Sequence, residues 1–295
     1  MRIGLIDVDS KSPNLALMKI SAYHKKKGDL VEWFHPAFGK YDLVYASKVF
    51  TFTPDYDYYP KGVIKGGTGY RDYVSMIPDD LICPDYDLYD LNYSMGFLTR
   101  GCPNKCDWCV VPEKEGGIRP AQDIRRFARH RDVVLLDNNV LSSDFGIKQI
   151  EKIIKLKFKI DFNQGLDARL IDKPMARLLA KVRWLKPIRL ASDNQLQKIS
   201  VERAVNNLRK AGATPKNYFC YMLVKDVNEA YDRSEHLRLL GCDAFAQPYI
   251  DFREDSKPPT RDQKDFARWV DCKWLWKKQS WQDYKKILIE KRRFK

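Results

Sequence analysis

Beyond residue 93 the chain alternates short apolar segments with amphipathic ones, and this alternation constrains the fold more than any other feature. The apolar segments have the length of buried parallel strands, and the amphipathic ones have helical spacing. Six strands are predicted, at Met95–Thr99, Val133–Asp137, Lys159–Asn163, Ile188–Ala191, Tyr218–Val224 and Ala244–Pro248. The helices predicted between them cover Ala121–His130, Ile147–Lys155, Lys173–Val182, Ser200–Ala211 and Val227–Leu240. Repeated strand–helix units predict an α/β fold, a partial (β/α)6 barrel of the TIM type with its chemistry at the carboxyl ends of the strands.

A smaller α/β segment precedes this region. Ile3–Val8 is predicted as a buried strand and Leu15–Lys27 as a helix, followed by strands at Leu30–Phe34 and Tyr41–Ser47. A further strand from Val63 leads into glycines at 66, 67 and 69, which form either a turn or a phosphate-binding loop. The predicted organisation is a Rossmann-like parallel-sheet domain over 1–75, an irregular Pro- and Asp-rich linker over 76–92, the partial barrel over 93–253 and a Trp- and Lys-rich helical extension over 254–295.

The chain is basic, with 53 Lys and Arg against 39 Asp and Glu and a formal net charge of +14. This balance favours anionic partners, among them nucleic acid, although much of the excess lies on predicted solvated helix faces such as 148–159. In the C-terminal extension, Phe266, Trp269, Val270, Lys273 and Trp274 recur at helical spacing. They either pack across the barrel or form a basic surface that stacks bases.

The sequence also predicts a compartment. No run of eighteen apolar residues is present, so we expect no membrane span. Asp7 interrupts the first apolar stretch, which is typical of a strand rather than a signal peptide. The seven cysteines are odd in number and three of them are clustered, which argues against a disulfide framework. These features predict a cytoplasmic protein.

Cys102, Cys106 and Cys109 form the cluster, spaced CxxxCxxC. Three thiolates are one ligand short of a closed four-coordinate site, and a [4Fe–4S] cube held by three cysteines leaves one iron open. A structural zinc site needs four ligands; Cys83 is a candidate for the fourth thiolate, but there is no second CxxC pair and no histidine within twenty residues. A zinc-stabilised nucleic-acid-binding module without catalysis is therefore the alternative to an iron–sulfur enzyme.

The cysteine spacing, the aromatic Trp108 before the third cysteine, the preceding Gly101 and the strand–helix pattern that follows resemble the radical S-adenosylmethionine superfamily over about residues 93–250. The continuation of the loop, Val110–Pro112, Arg119–Pro120 and Asp123–Ile124, is most similar to the branch of methylthiotransferases and enzymes with cobalamin-binding-type amino-terminal domains. The resemblance implies that the three cysteines are the catalytic metal ligands of a [4Fe–4S] cluster. S-adenosylmethionine on the open iron would be cleaved reductively to a 5′-deoxyadenosyl radical that attacks a substrate, with flavodoxin or ferredoxin as the electron donor.

The resemblance also implies where the cofactor contacts lie. Trp108 would pack near the adenine of S-adenosylmethionine, and Arg169 would pair with its carboxylate. The remaining predicted contacts follow successive strand ends: Asp137, Asn138 and Asn139 for the amino group, Asn163 and Gln164 after the third strand, and Ser192 and Asp193 for the ribose hydroxyls, with Gln247 as a weaker candidate. Each of these groups has an alternative role in capping a helix or ordering a loop.

The sequence departs from that branch in two ways. Only Cys83 precedes the motif, so the cysteines for a second cluster are missing, and no small RNA-binding β-barrel follows the predicted barrel. The segment Asp7–Ser12 has no histidine where cobalamin-binding domains carry their cobalt ligand, which argues against cobalamin. The substrate, a nucleic acid or else a small molecule or peptide, is left unnamed by the sequence.

Overall fold

The computed structural model describes residues 1–37, 39–78, 81–213, 217–251 and 257–293. In this part of the chain, ten α-helices accompany several parallel sheets, so the fold is mixed α/β. The first sheet contains β1 (Arg2–Asp7), β2 (Leu30–Trp33), β3 (Leu43–Ser47) and β4 (Ile64–Gly66), with α1 at Leu15–Lys26. Its strands are all parallel and lie in the order β2-β1-β3-β4. The predicted amino-terminal strands and helix are thus confirmed to within a few residues.

Two further parallel sheets follow. The elements of this region, which also include the separate antiparallel pair β6–β7, are β5 (Ser94–Gly96), β6 (Thr99–Arg100), α2 (Val111–Lys114), β7 (Arg119–Pro120), α3 (Ile124–Phe127), β8 (Asp132–Leu135), α4 (Asp144–Leu156), β9 (Lys159–Phe162), α5 (Lys173–Leu179), β10 (Arg183–Trp184), β11 (Ile188–Ala191), α6 (Gln197–Lys210), β12 (Tyr218–Val224), α7 (Val227–Leu239) and β13 (Cys242–Pro248). One sheet has the order β10-β9-β8-β5 and the other β11-β12-β13. A parallel bridge between Leu166 and Leu190 connects the two.

Two predicted elements differ in the structure. The predicted strand Met95–Thr99 is divided, because Thr99 pairs antiparallel with Pro120 in the short β6–β7 ladder instead of continuing beside β8. The predicted helix over 121–130 is reduced to α3. The hydroxyl of Ser94 accepts hydrogen bonds from the backbone N–H groups of Arg129 (2.8 Å) and His130 (3.0 Å), so these amides are not available to extend the helix.

The C-terminal extension consists of α8 (Arg261–Asp271), α9 (Lys273–Lys278) and α10 (Trp281–Arg293). Trp269, Trp276 and Trp281 are buried in the same hydrophobic core as β11, β12 and β13, whereas Trp274 is 69% exposed. The interpretation of the aromatic residues as a packing face is therefore confirmed, with Trp274 as the exception. Within the described residues, no helix is both long enough and apolar enough to cross a membrane.

The amino-terminal sheet contacts the later sheets through the segment predicted as a linker. Tyr86 is buried against Met18 and Met95, and its hydroxyl donates a hydrogen bond to the carbonyl of Phe127 (2.7 Å). Tyr89 donates from its hydroxyl to the carboxylate of Asp7 (2.5 Å). The segment is thus a packed connection that fixes the carboxyl end of β1 near β5 and α3.

Candidate functional site

The three clustered cysteines lie in a loop that the β6–β7 ladder closes. Gly101 begins the loop with a φ of +78°, and a Cβ at this position would overlap the carbonyl oxygen of Gly117. The backbone N–H of Cys102 donates to the carbonyl of Gly116 at 3.2 Å. The two ends of the loop, at Gly101–Cys102 and Gly116–Gly117, are therefore in contact. These contacts form the base of the loop that carries residues 102–109.

Glu115 holds this base together. Its carboxylate accepts a hydrogen bond from the backbone N–H of Gly101 (2.9 Å) and another from the side-chain amide of Asn138 (2.8 Å). It also pairs with the guanidinium of Arg100 at 3.1 Å, and only 5% of its side chain is exposed. One buried carboxylate thus connects the start of the cysteine loop to the segment that follows β8. The sequence carried no signal for this role beyond an acid near the loop.

The cysteine side chains open into one pocket of about 230 Å³. Polar residues that follow β8, β9 and β11 line the opposite side of the same pocket. Of the predicted contacts, the lining includes Cys102, Cys106, Cys109, Trp108, Asn138, Asn139, Gln164, Arg169 and Asp193. It also includes residues that the sequence did not single out, among them Asn104, Asp167, Gln197 and Ser200. The carboxyl ends of three parallel strands thus meet the three thiols.

Asp167 organises the polar side of the pocket. Its carboxylate accepts from the guanidinium of Arg169 at 2.8 and 2.7 Å and from the side-chain amides of Asn139 (3.0 Å) and Asn104 (3.2 Å). Burial would raise the pKa of Asp167, but the hydrogen bonds and positive charge of Arg169 outweigh burial and lower the pKa below its usual value. The Asp167 carboxylate fixes the orientation of Arg169 and of both amides through these hydrogen bonds.

The side-chain amide of Asn139 is only partly hydrogen-bonded. Its amide nitrogen donates to Asp167 and lies 3.5 Å from the sulfur of Cys102. Its side-chain oxygen is buried and has no hydrogen-bond partner among the described residues. A buried acceptor without a donor is costly unless a ligand supplies the donor. This atom is therefore a candidate ligand contact in the pocket.

Three of the predicted contacts, Asp137, Asn163 and Ser192, do not line this pocket. Asp137 is buried and accepts hydrogen bonds from the backbone N–H groups of Leu98 (3.2 Å) and Thr99 (2.6 Å); burial raises its pKa to about 6. Asn163 is held in the tight turn after β9, where its carbonyl accepts from the hydroxyl of Tyr221. Ser192 is fully buried, and its hydroxyl has no hydrogen-bond partner among the described residues. Of the three, Asp137 orders the backbone of Leu98 and Thr99 through these hydrogen bonds. Gln247, the weaker candidate, lines a different cavity.

Asp193 and Trp108 form the remaining edge. Asp193 accepts a hydrogen bond from the backbone N–H of Leu223 at 3.2 Å, and burial raises its pKa to about 6. The ammonium of Lys225 lies 4.8 Å from the centre of the Trp108 ring. Trp108 also lines a second, larger cavity, so its ring stands in the wall between two cavities.

The three thiols share one partly buried environment. Burial raises the pKa of both Cys106 and Cys109, although Arg169 opposes this effect at Cys106. Such thiols ionise when a metal binds them. Among the described residues, no group of three or more His, Cys, Asp or Glu side chains is arranged to hold a single metal ion. A four-iron cube binds each thiolate through a different iron, so it needs thiols that share one pocket without converging on one point.

The proposed fourth zinc ligand lies elsewhere. The thiol of Cys83 packs 3.8 Å from the carbonyl oxygen of Phe127, within the cluster formed by Met18, Tyr86 and Met95, and does not line the cysteine pocket. Cys102, Cys106 and Cys109 are therefore the cysteines of this pocket, and Cys83 does not join them.

Comparisons with known proteins give no family for this chain. No model of a protein family matches it, and a search of curated proteins finds no significant match.

Proposed function

We propose that this protein is a radical S-adenosylmethionine enzyme that holds a [4Fe–4S] cluster on Cys102, Cys106 and Cys109 and binds S-adenosylmethionine in the adjoining pocket. The observation that carries the proposal is the meeting of these three thiols with polar residues that follow the parallel strands β8, β9 and β11 in one pocket. When bound, the cluster supplies the electron for reductive cleavage of the sulfonium.

The arrangement of strands supports a partial (β/α)6 barrel. The strands β5, β8 and β9 are parallel neighbours, as are β11, β12 and β13, and the Leu166–Leu190 bridge lies between the two sets. In this interpretation β10 is an added edge strand on β9. The pocket then lies at the carboxyl end of the barrel, where enzymes of this architecture have their active sites.

The chain's own residues would position S-adenosylmethionine. Arg169, fixed by Asp167, offers its guanidinium to the carboxylate of the methionine moiety. The unpartnered oxygen of Asn139 offers an acceptor to the amino group. Asp193 is placed to accept from ribose hydroxyls, and Trp108 offers an aromatic face for the adenine.

Two partners belong to the proposal. An electron donor such as flavodoxin or ferredoxin would reduce the cluster, and a nucleic acid is the substrate class that the net charge of +14 favours. We do not include cobalamin, because no histidine is present in Asp7–Ser12.

The first test is metal content. After anaerobic reconstitution the full chain should be brown and hold about four iron and four sulfide per chain. The variant Cys106→Ala should lose most of this iron. The matched control Cys272→Ala removes an exposed cysteine between α8 and α9 and should bind as much iron as wild type. A colourless protein with one zinc per chain would contradict the proposal and favour the zinc-stabilised module.

The second test is turnover. With dithionite and S-adenosylmethionine, reconstituted wild type and Cys272→Ala should release 5′-deoxyadenosine slowly even without substrate. Cys106→Ala should release none, because it lacks one cluster ligand. Equal release by all three proteins would refute the ligand assignment.

A further inference from the structure

A second cavity, of about 990 Å³, lies between the amino-terminal sheet and the later strands. On one side it is lined by residues that follow β3 and β4, namely 49–52, Thr68, Arg71 and Tyr73. On the other side it is lined by Leu223 near the end of β12 and by 247–251 at the end of β13. Two parallel sheets therefore direct their carboxyl edges into one cavity, and this is the edge at which parallel sheets bind ligands.

The amino-terminal wall carries a pair of exposed aromatic rings. The rings of Phe50 and Phe52 stack with centroids 5.2 Å apart and planes inclined by 26°, and the two residues are 41% and 66% exposed. The backbone of this segment is fixed, because the carboxylate of Asp9 accepts from the N–H groups of Val49 (2.7 Å) and Phe50 (2.9 Å). Flat rings held in the wall of an open cavity are the side chains on which nucleobases stack.

Cations stand at the margin of the same cavity. Lys264 lines it, and the ammonium of Lys225 lies 4.4 Å from the ring centre of Tyr249, another lining residue. Among the described residues, neither lysine has a carboxylate within ion-pair distance. The lining also contains the acids Glu113 and Asp251. Aromatic walls with lysines at the edge suit a ligand that combines a flat apolar ring with a phosphate.

The glycine loop contributes no phosphate site to this cavity. The N–H of Gly67 donates to the carbonyl of Asp72 (3.1 Å), and that of Gly69 donates to the carbonyl of Lys48 (2.9 Å). A Cβ at Gly67 would lie 2.5 Å from the carbonyl oxygen of Lys48. The glycines therefore allow close packing of two backbone segments, and the interpretation of this loop as a phosphate cradle is wrong. The cations near this cavity are side chains: Arg71 and Lys264 in its lining and Lys225 beside Tyr249.

We propose that this cavity binds a nucleotide of a single-stranded nucleic acid, with its base against Phe50 and Phe52 and its phosphates near Lys225 and Lys264. The volume lies at the upper end of the roughly 300–1,000 Å³ of ordinary ligand pockets, so it accommodates a nucleotide with parts of its neighbours. The binding of a nucleotide in this cavity does not depend on the proposed function. Its assignment as the substrate does rest on the proposed function, because Trp108 lies between this cavity and the proposed cofactor pocket.

Fluorescence anisotropy of the full chain with labelled single-stranded RNA and DNA of about 12 nucleotides tests the proposal. Wild type should bind at least one of them. The double variant Phe50→Leu/Phe52→Leu keeps the apolar surface but removes both rings, and it should weaken binding by about tenfold or more. The double variant Lys225→Ala/Lys264→Ala should lower the slope of log affinity against log salt by about 1.4, the value for two contacts to single-strand phosphates.

The control is Trp274→Leu, which removes an exposed aromatic ring outside the cavity and should bind like wild type. Loss of binding in this variant with no loss in the phenylalanine pair would overturn the proposal and assign nucleic acid to α9. If adenosine monophosphate binds as tightly as either strand, the proposal of a single-stranded ligand is refuted in favour of a free nucleotide. If none of the probes binds, the proposal of a nucleotide site is refuted.

Failure of this inference can be told apart from failure of the proposed function. The binding measurements need neither cluster nor S-adenosylmethionine, so Cys106→Ala should bind the strand as wild type does. Release of 5′-deoxyadenosine without substrate should persist in Phe50→Leu/Phe52→Leu. Strand binding by a protein that never releases 5′-deoxyadenosine would leave the inference standing and refute the proposed function.

Discussion

The backbone N–H of Gly101 donates a hydrogen bond to the carboxylate of Glu115 at 2.9 Å, across the base of the loop that carries the three cysteines. Because the same carboxylate accepts from Asn138, the loop and the end of β8 are held by one group. The position of Cys102 relative to the polar side of the pocket thus depends on backbone geometry at Gly101.

Replacement of Gly101 by alanine should therefore damage the site. Gly101→Ala combines a left-handed φ with an overlap between the new Cβ and the Gly117 carbonyl, whereas Gly116→Ala has a similar φ of +69° with open space around it. In urea denaturation, we expect Gly116→Ala to cost about 1–2 kcal/mol and Gly101→Ala at least about 2 kcal/mol more. Iron uptake should fall only in Gly101→Ala. Equal losses of stability in the two variants would show that the loop relaxes freely.

Asp167 should control the affinity for S-adenosylmethionine. Asp167→Asn removes the charge that holds Arg169 in a two-point contact, and we expect the dissociation constant of S-adenosylmethionine to rise about tenfold. Equilibrium dialysis with the reconstituted protein measures this change. Asp172→Asn is the matched control: Asp172 caps α5 and is outside the pocket lining, and asparagine caps equally well. An unchanged affinity in Asp167→Asn would remove Arg169 from the set of cofactor contacts.

Arg233 should be important for stability, although it is remote from the cysteines in sequence. It is fully buried on α7 and donates hydrogen bonds to the carbonyls of Ser192 and Leu223 (2.6 Å for the latter), at the ends of β11 and β12. Arg233→Met leaves both carbonyls without this donor, so we expect a loss of about 3 kcal/mol in unfolding free energy. Arg238→Met, on the same helix but in a surface pair with Glu235, should cost less than about 1 kcal/mol. Comparable losses would contradict the role of Arg233.

Asp137 should give stability a characteristic pH dependence. Burial raises its folded-state pKa from 3.8 to about 6, so the folded protein binds this proton more tightly than the unfolded chain does. The contribution of Asp137 to the unfolding free energy should then fall by up to about 3 kcal/mol as the pH rises from about 4 to 6. Above that range it should stay constant. Asp137→Asn cannot titrate, so its unfolding free energy, measured in urea at pH 4, 5, 6 and 7 (roughly the span of the two pKa values), should lack this decline. Parallel pH profiles for the two proteins would contradict the assignment.

The sequence by itself determined the strands and helices whose patterns are local. The predicted bounds of β11 and β12 agree with the structure residue for residue, because runs such as Tyr218–Val224 are apolar enough to be strands in any packed context. The cysteine spacing likewise brings Cys102, Cys106 and Cys109 to one loop, since three and two intervening residues cannot separate them far. The local signals failed where a distant side chain intervened, as Ser94 does at Arg129 and His130.

Only the tertiary structure decided which polar residues meet the cysteines. Asp137 and Asn138 are neighbours in the chain, yet the first is buried under Leu98 and Thr99 and the second lines the pocket, because alternate residues beyond a strand point in opposite directions. Asp167, Glu115 and Arg233 carry no motif; each acquires its role from hydrogen bonds to residues that are distant in the chain or on another strand. The cavity between the two sheets has the same origin, since Phe50 and Tyr249 come together only when both carboxyl edges face each other.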